Sequence, residues 1–380
     1  MTATLHLGDC LDVMRTLDAD SVDAVVTDPP AGISFMGKSW DNFGGRSNSN
    51  AQNDRDAANR GPGAGLGNQP FGYSGSALPK SKSERDAFIA FLAERLAEAH
   101  RVAKPGARLL CWAIPRTSHW TGTAIEDAGW IIEDRLAHLN GQGFPKAASK
   151  LKPAVEDWWL ARKASKGVPP LNIDACRIAT TDALGGGDQS ATVKSKTDGW
   201  DRPWMRDTVA KAAHAARVND NVLKAESLGR WPANLVLDEE AAAMLDAQTG
   251  VSKGSDRVRH NGDFKSVAKG AETARDSFGY SDSGGASRFY YCPKASKSDR
   301  GEGNIHPTVK SHNLMRWLVR LIAKPGDLLL DPFAGSGSTA LACQAEGVRF
   351  VGVEQSAEYH ATAEARIRAA EQAKAELLFA

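Results

Sequence analysis

Short runs of consecutive apolar residues recur along the chain, each closing on an acid or a turn, and between them apolar residues repeat at helical spacing. Leu5-His-Leu-Gly-Asp9 reads as a short strand, and Cys10 to Leu17 as a helix with Leu11, Met14 and Leu17 on one face. Val22 to Val26 suits a buried parallel strand. Ser83-Glu-Arg-Asp86 has the pattern of a capping box. It opens a helix to about Ala103, with Phe88, Phe91, Leu92, Leu96 and Ala99 in register. Ala103-Lys-Pro-Gly106 ends that helix ahead of a strand from Arg108 to Ile114. The same device returns downstream: a helix from Asn313 to Ala323 with Leu314, Trp317, Leu318 and Leu321 on its face, then Ala323-Lys-Pro-Gly326, then a strand into Asp331. A helix at Ser118–Ala128 with a strand at Trp130–Ala137, and a helix at Ala340–Glu346 with a strand at Val348–Glu354, complete the set. Strands alternating with helices predict an α/β chain built on a doubly wound, Rossmann-like sheet.

The middle of the chain is less regular. Helical spacing is present at Val155–Ala164, near Trp200–Val218 and at Glu239–Ala247, and strand character at Asn234–Leu237 and Ser287–Cys292. Between Gly44 and Ser83 the composition shifts to Gly, Ser, Asn and Pro, which predicts a mobile loop, expected to act as a flap. Composition changes this picture little. The 380 residues have room for one large α/β domain with an insertion, and the formal charge of +1 gives no global nucleic-acid signature. From Gly141 to Lys310 there are 26 Lys and Arg against 21 Asp and Glu, a modest tilt toward a polyanion. Five scattered cysteines without metal spacing point to no metal site and to a reducing, cytoplasmic setting. No signal-peptide pattern and no apolar run of membrane length is present, so no membrane partner is expected.

Candidate chemistry sits at strand ends. In Asp331-Pro-Phe-Ala-Gly-Ser-Gly-Ser-Thr339, Gly335 and Gly337 allow a tight turn and close approach of a ligand. Glu354 follows nineteen positions after Gly335, the spacing at which a carboxylate meets ribose hydroxyls in an α/β nucleotide fold. The loop lacks a third glycine and a Gly-Lys-Ser/Thr phosphate cradle, and Asp331 would repel a pyrophosphate. A phosphate-free nucleoside carrying a cation fits better, and S-adenosylmethionine is such a ligand. At the other end, Val22 to Val26 leads into Thr27-Asp-Pro-Pro30. The prolines exclude helix and leave carbonyl oxygens free, so Asp28 and those carbonyls form a rigid set of acceptors suited to an amino group.

Thr27-Asp-Pro-Pro30, His306-Pro-Thr-Val-Lys310 and Asp331-Pro-Phe-Ala-Gly-Ser-Gly-Ser-Thr339, in that order, resemble the amino-methyltransferases of DNA in their permuted beta arrangement. The resemblance implies a methyltransferase sheet with an inserted target-recognition region. It divides the chain into a catalytic half at 1–145, target recognition at 146–303 and a cofactor half at 304–380. It also implies S-adenosylmethionine as cofactor, duplex DNA as partner, and a possible homodimer. Asp28, Pro29, Pro30 and Ala31 fall at the catalytic positions. Asp9, Cys10, Asp28, Thr308, Lys310, Asp331, Phe333, Gly335, Ser336, Gly337, Ser338, Thr339 and Glu354 fall at cofactor positions, with Thr308 and Lys310 on the methionine carboxylate and Asp9 and Cys10 against adenine. Asp9 serves equally well as a plain helix cap. The Asp before the prolines leans toward adenine N6 over cytosine N4. A DNA-binding regulator on the same fold is the alternative from another class. Ala31 stands where the family usually has an aromatic that stacks on the target base. Phe35, Trp40 and Phe43 are candidates to replace it, and Phe144 of Asn140-Gly-Gln-Gly-Phe-Pro145 is a further pocket candidate.

Overall fold

The computed structural model describes residues 3–33, 41, 43, 82–141, 151–180, 207–253, 283–293 and 310–379. The chain divides into two compact units, Met1–Asn172 with Asn234–Asp238 and Pro293–Ala380, and Ile173–Ala233 with Glu239–Cys292. Its strands are β1 (Ala3–Leu7), β2 (Val22–Thr27), β3 (Ala103–Ala113), β4 (Ile131–Leu139), β5 (Val155–Arg162), β6 (Leu235–Leu237), β7 (Ser252–Lys253), β8 (Ser283–Gly284), β9 (Leu328–Asp331) and β10 (Arg349–Glu354). The helices are α1 (Cys10–Arg15), α2 (Lys82–Val102), α3 (Ser118–Asp127), α4 (Thr208–Leu228), α5 (Glu239–Thr249), α6 (His312–Ile322), α7 (Ser338–Glu346) and α8 (Ala357–Phe379). Among the described residues no helix is long and apolar enough to cross a membrane.

The first unit is organised by one eight-stranded sheet in the order β1-β10-β9-β2-β3-β5-β4-β6. β1, β10, β9, β2 and β3 run parallel, β5 is antiparallel to both β3 and β4, and β6 is parallel to β4. Val25, Leu109 and Cys111 join one buried cluster with α1, α2 and α3, while Ala24, Val26 and Leu110 are equally buried on the opposite face. Burial on both faces is why these strands read as unbroken apolar runs. The two ends of the chain meet in the sheet, with β1 and β10 paired from Ala3↔Phe350 to Leu7↔Glu354. A permuted α/β sheet requires this closure.

Four expectations need correction. Val155–Ala164 is not helical: Val155–Arg162 is β5, inserted between β3 and β4. Its run Trp158-Trp-Leu-Ala161 lacks strand alternation because both faces are covered, with Trp158 and Leu160 at 1% and 3% exposure and Ala161 fully buried. The sheet therefore draws β5 and β6 from the stretch 146–303. Ser83 is not an N-cap, since the helix already includes Lys82, whose ammonium pairs with Asp86 at 2.9 Å. The strand after α2 starts at Ala103, five residues before Arg108, and its register with β2 jumps across Lys104-Pro-Gly106. Ser287–Cys292 is not a strand over its first part. Residues Ala286–Phe289 form a 3₁₀ turn because Asp246 accepts from the Ser287 N–H and hydroxyl at 2.8 and 2.7 Å.

In the second unit, α4 is capped by Asp207, and Ile178 bridges Arg230 in antiparallel fashion. The Arg177 guanidinium lies over Trp231 at 4.9 Å, and Arg288 over Phe289 at 4.2 Å.

Candidate active site

Asp9 follows β1, Glu354 ends β10, Asp331 ends β9 and Asp28 follows β2. These strands are neighbours and parallel, so four carboxylates line the carboxyl edge of the sheet, where open α/β sheets form their ligand crevice. The two diagnostic segments are joined there directly. Ala24 and Val25 pair with Leu329 and Leu330, and Thr27 donates its hydroxyl to Asp331 Oδ1 at 3.0 Å.

Asp331 is 1% exposed and its carboxylate is committed to the protein interior. Besides Thr27, it accepts from the Phe333 N–H at 3.1 Å and from the Thr339 hydroxyl at 2.6 Å. Burial pushes the group up to about 7 against those three donors, and the nearby charge of Asp28 adds to the rise. Gly337 has φ 79°, and a Cβ there would sit 3.1 Å from Ala363 Cβ, so α8 presses on the loop where a side chain would stand. Arg366 of α8 holds the loop from inside, donating to the Ser336 carbonyl and, at 3.0 Å, to its hydroxyl. Glu354 accepts from the Gly335 N–H at 2.9 Å and the Ser356 N–H at 2.7 Å. The Gln355 N–H also favours the charged form, and with about four lone-pair sites on a carboxylate some acceptor capacity is left.

The Asp28 corner is built differently. The Thr117 hydroxyl donates to the Ala31 carbonyl at 2.7 Å, and Asp41 accepts from the Ile33 N–H at 3.1 Å. Gly32 has φ 70°, and a Cβ would lie 2.7 Å from the Phe88 ring, so only glycine fits this bend. Among the described residues no donor reaches Asp28 Oδ1 or the carbonyls of Pro29 and Pro30. Asp28 Oδ2 faces Lys310 Nζ at 3.5 Å. Lys310 Nζ is also 3.5 Å from Glu156 Oε2 and lies 3.7 Å above the Trp112 ring. Trp112 donates its indole N–H to the same Glu156 oxygen at 3.1 Å, and His138 Nδ1 is 3.7 Å from it. Desolvation raises the Asp28 carboxyl, Lys310 opposes that rise and Glu156 adds to it. Burial also works against ionisation of Glu156, but Lys310, His138 and the Trp112 N–H outweigh it and hold the group well below the usual range.

The expected residues therefore divide. Asp28, Pro29, Pro30, Asp331, Gly335, Gly337 and Glu354 come together at one edge. Asp9 accepts from the Leu11 N–H at 2.8 Å, which realises the cap, and it also lies 3.5 Å from Arg95. Cys10 is buried beside it, its thiol pushed up to about 11 by desolvation. The hydroxyls of Ser336 and Thr339 bond inward to Arg366 and Asp331, and Ser338 Oγ lies 3.5 Å from Arg366. Phe333 packs against Phe91 with ring centroids 6.4 Å apart. Phe43 is part of the same aromatic cluster, 5.3 Å from Phe88 and 5.1 Å from Phe91. Phe35, Trp40, Phe144 and Thr308 lie outside the described residues. Sequence reasoning missed Trp112, Glu156, His138, Asp41 and Gly32. Of these only Glu156 stands at the opening of an apolar run, a position too common for a charge to single it out.

The family model of the N6/N4 DNA methylases matches residues 22–365, spanning both motifs that meet at this edge. The chain belongs to the DNA methylase family. Its similarity to curated proteins is local. It is 38% identical over 68 residues to YubD of Escherichia coli (strain K12), covering 18% of this chain and 30% of that protein. To the DNA adenine methyltransferase YhdJ of the same organism it is 43% identical over 54 residues, 14% of this chain and 18% of YhdJ. The chain thus matches less than a third of the length of either. Among solved structures, the cytosine-N4-specific PvuII DNA methyltransferase is 13% identical with a TM-score of 0.47, covering 96% of this chain and 86% of that one. The M1.HpyAVI–SAM complex is 15% identical with a TM-score of 0.43, covering 96% and 99%.

Proposed function

We propose that this chain transfers a methyl group from S-adenosylmethionine to the N6 amine of adenine in duplex DNA. The observation that carries the reading is the contact between the two strand-end corners, Thr27 to Asp331, which brings the Asp28 acceptors and the glycine loop into one crevice.

The donor set fits such a cofactor. Glu354 keeps acceptor capacity for ribose hydroxyls while its bonds to the Gly335 and Ser356 N–H groups fix the loop. The left-handed glycine at 337 keeps side chains off the loop, and the carboxylates along the edge favour a cation over a phosphate. When bound, S-adenosylmethionine supplies a methyl group on positively charged sulfur. Asp28 Oδ1 and the carbonyls of Pro29 and Pro30 accept the hydrogens of the target amine, so its lone pair localises on nitrogen instead of in the ring. Asp28 Oδ1 is also the base placed to take the proton that the amine sheds. The base must leave the helical stack for its amine to meet these acceptors. The rate advantage is then positioning and electrostatics.

The test is to incubate the protein with duplex DNA and methyl-labelled S-adenosylmethionine and digest to nucleosides. Label in N6-methyladenosine is expected. Label in N4-methylcytosine would move the target to cytosine, and no label in either would overturn the reading.

A further inference from the structure

The sheet order brings three residues from β3, β4 and β5 to the Asp28 corner, although nothing in their sequence positions announces it. The central fact is symmetry: the Lys310 ammonium is 3.5 Å from Asp28 Oδ2 and 3.5 Å from Glu156 Oε2. It rests on the face of Trp112 and is only 11% exposed, so water does little to compete with the two carboxylates. Trp112 in turn grips Glu156 through its indole N–H, and His138 pairs across the strands with Glu156. A cation with a single carboxylate partner closes to a contact pair of roughly 2.8 Å. Lys310 has closed to that distance on neither of its two carboxylates.

We infer that Glu156 is a positioning residue of the transfer site. It shares the Lys310 ammonium with Asp28, so the cation steadies Oδ2 without closing on it, and Oδ1 stays open for the amine. This rests on the reading of Asp28 as the amine acceptor. Removing the Glu156 charge releases Lys310 onto Asp28, which neutralises the acceptor and turns its lone pairs away from the substrate. The titratable groups that face this arrangement are Lys310, Glu156 on β5, His138 on β4, Asp331 on β9 and Cys111 on β3.

Two readouts test the inference in the full chain. The first is a carboxyl-carbon NMR titration of Asp28 without cofactor or DNA, its signal assigned by loss in Asp28→Asn. Glu156→Gln is expected to lower the Asp28 pKa by about one unit, and Lys310→Met to raise it. The second is kinetic. Glu156→Gln is expected to lower kcat by about tenfold with KM for DNA and cofactor within about twofold, and Glu156→Asp to recover part of the loss. In a Lys310→Met background, Glu156→Gln is expected to cost nothing further, because its effect passes through the lysine. An unmoved Asp28 titration in Glu156→Gln overturns the inference, as does a full additional loss in the double variant. If Glu156→Gln fails to fold, Lys310→Met carries the test, and an unmoved Asp28 there overturns it. A wild-type protein that methylates no DNA removes the functional reading alone, since the titration still decides whether the two carboxylates share the cation.

Discussion

Two corners of the sheet begin with the same dipeptide and end differently. Asp28-Pro29 follows β2 and Asp331-Pro332 closes β9, on adjacent parallel strands. Asp331 takes three hydrogen bonds from within the protein and is 1% exposed, so its carboxylate is a bolt between strands and loop. Asp28 accepts no hydrogen bond at Oδ1 among the described residues, meets one shared cation at Oδ2, and leaves 27% of its side chain exposed. The dipeptide supplies a carboxylate at a strand end; the donors around it decide whether it holds the fold or faces a substrate. This contrast can be broken at four points.

The largest effect is expected at Asp28. Asp28→Asn keeps an acceptor oxygen but removes the negative charge and the base, and methyl transfer is expected to fall by at least about 10²-fold, the size of losing one preorganised electrostatic partner. Cofactor affinity and unfolding midpoint are expected to stay close to wild type; calorimetric titration and urea denaturation check both.

Next is the loop. Gly337→Leu must hold a side chain at φ 79°, costing about 1–2 kcal/mol, and push against Ala363. Loss of cofactor binding by about tenfold or more is expected, and unchanged affinity in the same titration would contradict the assignment of the loop.

The bolt should show itself as stability. Thr27→Val leaves the buried Asp331 short of one donor, and a loss of about 1–3 kcal/mol in urea unfolding is expected. An unchanged midpoint would mean that the Thr27 hydroxyl does not hold the corners together.

The smallest effect is a pH slope. Burial pushes Asp331 up to about 7 in the fold, against about 4 for an unperturbed carboxylate. Between those values the folded state binds more protons than the unfolded one, so this group's contribution to stability falls as pH rises from about 4 to 7. Asp331→Asn is expected to remove that slope from the difference between variant and wild type, measured by unfolding at a series of pH values.

Much of the sheet was legible because buried parallel strands write themselves as apolar runs ending in acids, as at Val22–Asp28 and Leu328–Asp331. The meeting of the chain ends in β1 and β10 is what the permuted order of the motifs requires. β5 was not legible, since Trp158 to Ala161 is apolar without alternation and no local rule separates such a strand from a buried helix. The site was legible in the same proportion. Asp28, Gly337 and Glu354 stand in motifs with fixed spacing. Trp112, His138 and Glu156 reach the site only because the sheet runs β3-β5-β4, an order no spacing encodes.

The most direct measurement is the amount of N6-methyladenosine formed in duplex DNA by wild type and Asp28→Asn at equal cofactor saturation. Product from wild type and a loss of at least about 10²-fold in the variant are expected. Equal product from both, or label carried by N4-methylcytosine alone, would contradict this expectation.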